Sequence, residues 1–315
     1  MAQELDDLFS GNLGNTMDFL TEKSTKNNDG LYRIDLNKCL DKKKGYNATI
    51  RFLPNLTKEG KVGQSAIEKI SHYANIKAVK ELSGFFDSPK NFNETCPLST
   101  LYYTMTNSKN AILMEKAKCL QYSKKYFSYV LILEDEQQPE LVGKIMIFQY
   151  GKIIKEKISQ QLSGEISGES INVFDLSNGA DFKLIVKELV TGDDTYPDYK
   201  NSAFRQSSPI SIWNEEKKVF KKVPLVDGRI DPKFQSIIKE SLLKRDFELE
   251  DFAPKRLTEE QLTKIANITT YLTGKGSTTY TTASSDDFDF EEGPETKTNK
   301  KAAVVDDEDD FFADI

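Results

Sequence analysis

"YSKKYFSYVLIL", residues 122–133, is the stretch on which the reading of this chain turns. It sets Lys124 and Lys125 among Tyr122, Tyr126, Phe127 and Tyr129, and then becomes wholly apolar. Aromatic and branched residues in such a run argue for a strand. In a strand, Phe127, Tyr129, Leu131 and Leu133 share one face, and Tyr126, Ser128, Val130 and Ile132 share the other. Two readings of the rings and cations stay open here. The rings belong to a core while the lysines point into water, or the lysines meet phosphates while the rings stack on the bases of a single strand. Under either reading some of the rings are core.

The neighbouring sequence extends the strand pattern. Tyr32, Ile34 and Leu36 alternate with Arg33 and Asp35, and Ala48–Leu53 is closed by Pro54. Lys144–Tyr150 follows Tyr126–Leu133 across the short acidic loop Glu134–Val142, which predicts an antiparallel pair. Phe182, Leu184 and Val186 alternate with Lys183, Ile185 and Lys187. After Gly151, Lys152–Leu162 reads as a helix. Between these segments, residues 64–82 show Ile67, Ile70, Ile76 and Val79 at loosely helical intervals, and residues 83–110 read as an irregular insertion. Beyond residue 200 the chain turns helical. Asp231-Pro232 starts one helix, and Thr258–Gln261 is a capping box for another that stops at Gly274. Short strands, glycine punctuation and a helix after a hairpin predict an α+β fold built on a small barrel or sandwich.

Composition divides the chain. Of its 315 residues 38% are hydrophobic and 30% charged, with a net charge of −7. Residues 282–315 hold twelve acids against three bases, a net −9, so the first 281 residues carry +2. The acidity belongs to the tail, and the body is free to hold a basic groove. We therefore divide the chain into an arm (1–29), a core (30–275, with an insertion at about 64–118) and a disordered linker with an acidic tail (276–315). The tail ends in Asp306, Asp307, Asp309, Asp310, Phe311, Phe312 and Ile315, an acidic run with an apolar clasp suited to docking on partner proteins. No apolar run approaches the roughly 20 residues of a membrane span. Three cysteines without framework spacing, and no visible signal peptide, predict a reducing, intracellular setting.

Enzyme signatures are scarce. There is no GxxxxGK[ST], GxSxG, HExxH or GxGxxG, and the chain has one histidine, His72. The expectation is no catalytic activity. The strongest signal is basic and aromatic together. Lys116, Lys118, Lys124 and Lys125 lie in a stretch, residues 116–129, without an acid, the paired strand adds Lys144, Phe148, Tyr150 and Lys152, and the earlier strand adds Arg51 and Phe52. Cations neutralise phosphates and rings stack on bases, so such a surface suits a flexible single strand better than a duplex groove. A protein-interaction adaptor acting through the tail, and an RNA binder, are the alternatives.

Ala48–Pro54, Tyr126-Phe127, Gly143-Lys144, Phe148–Lys152, Asn178–Leu184 and the terminal Asp306–Ile315, in that order, resemble the T4-type phage single-stranded DNA-binding (helix-destabilising) proteins. The resemblance implies an OB-fold-like five-stranded barrel with an inserted subdomain, C-terminal helices and a DNA cleft. It also implies an N-terminal arm for self-association, a tail for replication, recombination and repair partners, and residence in the cytoplasm of an infected bacterium. It places Arg51, Tyr126, Phe127, Phe148, Tyr150, Lys152 and Tyr196 at cleft positions; Tyr122, Lys124, Lys125, Tyr129 and Lys144 complete the DNA-binding set. The family's insertion holds zinc through one histidine and three cysteines. Here His72 and Cys96 remain, Ser99 stands at the last position, and no cysteine lies between His72 and Cys96. The expectation is that the structural zinc is lost, leaving no cofactor. The family's arm is basic at its start, whereas Glu4, Asp6 and Asp7 are acidic here, and the nearest basic-hydroxyl cluster is Lys23–Lys26.

Overall fold

The computed structural model describes residues 30–36, 39, 44–165, 168–191, 194–245 and 247–274. The arm 1–29, the Lys23–Lys26 cluster, and the linker and acidic tail from residue 276, with Asp306, Asp307, Asp309, Asp310, Phe311, Phe312 and Ile315, lie outside the described residues.

In chain order the strands of the main sheet are β1 (Leu31–Tyr32), β2 (Tyr46–Phe52), β3 (Ile67–Ala74), β4 (Gly84–Asp87), β5 (Leu120–Asp135), β6 (Ile145–Tyr150), β7 (Ala180–Thr191), β8 (Asp194–Asp198) and β9 (Ala203–Ser207). Two small hairpins follow, β10 (Ser211–Asn214) with β11 (Val219–Lys222), and β12 (Leu225–Val226) with β13 (Arg229–Ile230). The helices are α1 (Pro97–Asn107), α2 (Ala111–Ala117), α3 (Lys152–Ser163), α4 (Pro232–Leu243) and α5 (Glu259–Thr273).

The opening stretch lies in β5, 16 residues long and the spine of the sheet. One edge of β5 pairs first with β3, from Ala74 opposite Leu120 to Ile67 opposite Phe127, and then with β2, from Phe52 opposite Val130 to Ala48 opposite Asp135. Its other edge takes β6, from Tyr150 opposite Tyr126 to Ile145 opposite Leu131. The strand path runs β1-β6-β5-β2-β7-β8, with β3, β4 and β9 off it. The fold is α+β as expected, but among the described residues the two ends of that path do not pair, so the sheet is open and does not close into the OB-fold-like five-stranded barrel that the resemblance implies.

Two expectations within the insertion are corrected. Ile67 and Ile70 belong to the strand β3 rather than a helix, because β5 offers eight consecutive partners on that edge. Residues 97–107 are helical, not irregular: Pro97 occupies the first turn of α1, where its missing N–H costs nothing.

Three cores explain the apolar run of β5. Val130 and Ile132 face Ile50, Phe52, Phe148, Phe182 and Leu184, covered by Ile154 and Ile158 of α3. Phe127, Tyr129 and Leu131 face the opposite way, onto Ile147, Ile210, Val223, Ile238, Leu242 and Leu249. Both faces of the second half of β5 are therefore buried. Each large side chain sealed in this way contributes roughly 1.5–3 kcal/mol. The third core joins Ala74, Phe86, Leu98, Leu101, Met105 and Leu120 to Ile265, Ile268 and Leu272 of α5. The C-terminal helix thus closes the insertion, entering through the expected capping box and ending at Gly274 in a left-handed conformation.

Candidate nucleic-acid interface

The ribbon of β3 and the first half of β5 has two faces. Alternation puts Glu68, Ile70, His72, Tyr122, Lys124 and Tyr126 on one, and Lys69, Ser71, Tyr73, Ser123, Lys125 and Phe127 on the other. The first face runs between two cores. At one end Tyr126 packs against the core under α3, and at the other Ala74 and Phe86, on the same face, enter the helical core. Between them lies a row of ring, cation and ring.

In that row Tyr122 is 38% exposed and meets the His72 ring edge-on at 5.6 Å. Lys124, its side chain 33% exposed, pairs with Glu68 at 2.8 Å and lies 5.8 Å from the centre of the Tyr126 ring. Burial works against the Lys124 charge, but the hydrogen bond to Glu68 and the charge of that carboxylate outweigh it and raise the ammonium above its ordinary range. Tyr126 is half-buried and stacks on Tyr150 at 5.7 Å and 21°. Because Tyr150 lies opposite Tyr126, the chain leaves β6 at this end, and exposed Lys152 opens α3 there. The positive end of the α3 dipole adds to the cationic character of the row.

The other expected site residues fall elsewhere. Arg51 is 1% exposed and lies inside the protein, where it pairs with Asp181 at 3.2 Å and donates to the carbonyls of Asp175 and Ser208, each at 2.9 Å. A buried guanidinium needs these partners, and they leave it no open side for a phosphate. Phe148 is sealed between Tyr32 and Phe52, and Tyr150, beneath Tyr126, bonds Ser128 at 3.0 Å while burial pushes its hydroxyl up to about 12. Phe127 stacks on Phe252 at 5.2 Å. Tyr129 lies under the Arg245 guanidinium at 4.1 Å and accepts from the Leu249 N–H at 2.6 Å, with its hydroxyl raised by burial to about 12. These four rings are core packing, for the reason that both faces of β5 are covered. Lys144 is exposed but precedes Ile145 at the far end of β6, about 20 Å along the strand from Tyr150. Tyr196 is half-buried on β8, three strands from β5. Lys116 is turned to the Leu272 carbonyl at 3.2 Å, and Lys118 pairs with Glu115.

On the reverse face, Lys125 lines a cleft of about 280 Å³ with Lys69, Tyr73, Phe85, Asp87 and Phe252. Tyr73 and Phe85 stack at 4.5 Å and 27°, and Phe85 is 54% exposed. The sequence reading missed both rings. The adjacent pair Phe85-Phe86 carried the available signal, since on a strand one of two neighbours faces out, and here Phe86 is buried.

The expected metal remnants, His72 and Cys96, are both buried within the insertion. Burial alone would raise the Cys96 thiol, but hydrogen bonds from His72, Ser88 and Ser99 and the charge of His72 bring it down to about 6. Among the described residues no three His, Cys, Asp or Glu side chains gather as a metal site. No described helix is long and apolar enough to cross a membrane.

No curated protein matches the chain. A family model described as gp32 DNA binding protein like matches residues 43–227. The match spans more than half of the sequence and takes in β2 through β12, the Tyr122–Tyr126 row included. The chain belongs to this gp32-like family of DNA-binding proteins.

Proposed function

We propose that the protein is a sequence-indifferent, cooperative single-stranded DNA-binding protein that coats and protects DNA during phage replication, recombination and repair. The observation that carries this is the row Tyr122, Lys124 and Tyr126 between two cores, within the segment that the family model matches. Its cations hold phosphates, with Lys152 at the end of the row, and its partly open rings stack on bases, each stack contributing roughly 1–3 kcal/mol. A shallow face of this kind reads backbone and ring planes rather than base edges, so it does not select sequence. Catalysis has no part in this role.

The arm 1–29 serves self-association along the strand, and the tail from Asp306 to Ile315 recruits replication and recombination proteins. The setting is the cytoplasm of an infected bacterial host. Titrating the full chain with fluorescent oligo-dT at several salt concentrations tests the reading. Tight binding with a steep salt slope is expected, and Tyr126→Ala weakens it about tenfold or more. Preference for an RNA of the same length would make the protein an RNA binder instead. Indifference to both polymers at low salt would leave the acidic tail, and an adaptor role, as the function.

A further inference from the structure

The insertion buries four polar side chains in one place: His72 on β3, Ser88 just after β4, and Cys96 and Ser99 at the start of α1. The backbone fixes each of them. His72 lies opposite Phe86 in the β3–β4 pair, and the Ser88 N–H donates to the Ile70 carbonyl at 2.9 Å. Cys96 is the N-cap of α1 and Pro97 its first residue, so Ser99 comes one turn later on the same helix start. The Ser99 hydroxyl and His72 Nε2 are 3.1 Å apart, and His72, Ser88 and Ser99 stand close enough to the Cys96 sulfur to lower its thiol against the effect of burial.

A structural zinc asks for four thiolate, imidazole or carboxylate donors in a tetrahedron. This cluster offers one thiol and one imidazole, and its other two members are neutral hydroxyls that keep their protons. The residues present do not fit the metal that the resemblance implies. Ser99 and His72 bond each other and Ser88 Oγ accepts from the Lys90 N–H, while His72 Nδ1 is buried with no partner among the described residues.

We infer that His72, Ser88, Cys96 and Ser99 form a metal-free tetrad that ties β3, β4 and α1 together by hydrogen bonds, with Ser88 and Ser99 at the two corners where a zinc site needs thiolates. Serine and cysteine differ at one atom. The double substitution Ser88→Cys with Ser99→Cys therefore turns the tetrad into one histidine and three cysteines without rebuilding the backbone.

The experiment takes the full-length chain, purified from zinc-supplemented medium, through elemental analysis, thermal unfolding with and without a chelator, and titration with cobalt(II). The natural chain is expected to hold far less than one zinc per chain, to unfold at the same temperature in chelator, and to give no thiolate-to-cobalt bands. The double variant is expected to bind one cobalt per chain with thiolate charge-transfer and tetrahedral ligand-field bands, which one equivalent of zinc abolishes. A double variant that folds only when zinc is added supports the same assignment, because ligand binding and folding are then one event. One tightly held zinc in the natural chain, with a melting temperature that falls in chelator, would overturn the metal-free tetrad. A double variant that is folded but blind to cobalt, or unfolded with zinc and without it, would overturn the placing of Ser88 and Ser99 at the corners.

Discussion

Two adjacent lysines of the same type end up in different surroundings because a strand turns successive side chains to opposite faces. Lys124 lies in the row with Tyr122 and Tyr126, whereas Lys125 lines the reverse cleft with Lys69 and Tyr73. Removing Lys124 is expected to flatten the salt dependence of oligo-dT binding by about 0.7 in the log–log slope, the value of one phosphate contact to a single strand. Lys125→Ala should leave that slope within error. Equal effects of the two substitutions would show that the row is not the face that meets the strand. Arg51 gives the opposite kind of prediction. Its guanidinium is enclosed by Asp181 and two carbonyls, and Gly179 leaves room there, since a Cβ would come within 2.3 Å of the Asp175 carbonyl and 2.6 Å of the guanidinium. Arg51→Ala takes this partner from Asp181 and the Ser208 carbonyl, while the Asp175 carbonyl keeps the Gly179 N–H, and should cost about 3–5 kcal/mol of stability in denaturant unfolding. The folded fraction should keep its salt slope. A stable Arg51→Ala protein with a flattened slope would return Arg51 to the DNA surface.

At the scale of elements, the turn between β5 and β6 is locked by a contact from far along the chain. Gly143 has φ +86°, a conformation that L side chains rarely adopt, and a Cβ there would lie 2.5 Å from the Trp213 ring on β10. Gly143→Ala must therefore strain the turn and displace the indole, which packs on Phe220 at 4.7 Å. Trp213 is the single tryptophan, so its emission reports the shift directly. A red shift and a loss of about 1–3 kcal/mol are expected. An unmoved emission maximum with unchanged stability would contradict the contact. Much at this scale was legible in the sequence. The apolar and aromatic runs Ala48–Leu53, Tyr126–Leu133 and Lys144–Tyr150 and the alternation in Phe182–Lys187 mark β2, β5, β6 and β7, and the cap at Thr258 marks α5. What misled was local. Ile67 and Ile70 sit three apart like helix neighbours, yet β3 forms because β5 supplies a partner edge, which spacing along one segment does not reveal. The rings of β5 misled for a related reason. A strand covered on both faces looks in sequence like one offering rings to a ligand, and only the layers contributed by α3, α4 and the hairpins decide that Phe127, Tyr129 and Phe148 are core.

For the molecule as a whole, the proposed function turns the division of charge into a competition within one chain. Residues 1–281 carry +2 and residues 282–315 carry −9, so the tail is the strongest local anion available to the Lys124 row when no polynucleotide is present. Reach does not forbid it. The 31 residues between Gly274 and Asp306 span at most about 100 Å when fully extended, enough to reach any face of a domain of this size. On the proposed reading, a phosphate backbone, its charges in a continuous line, displaces the twelve tail carboxylates and frees Phe311, Phe312 and Ile315 for partner proteins. Deleting residues 282–315 should therefore tighten oligo-dT binding several-fold at low salt. The gain should shrink as the screening length falls from about 30 Å at 0.01 M to about 10 Å at 0.1 M, because the tail is screened before the closer DNA contacts are. The same deletion should abolish capture of replication proteins while leaving the thermal unfolding of the body unchanged. Titrations of both chains across that salt range decide the matter. Equal affinities at the lowest salt would end the competition, and a gain that persisted undiminished at high salt would assign it to something other than charge.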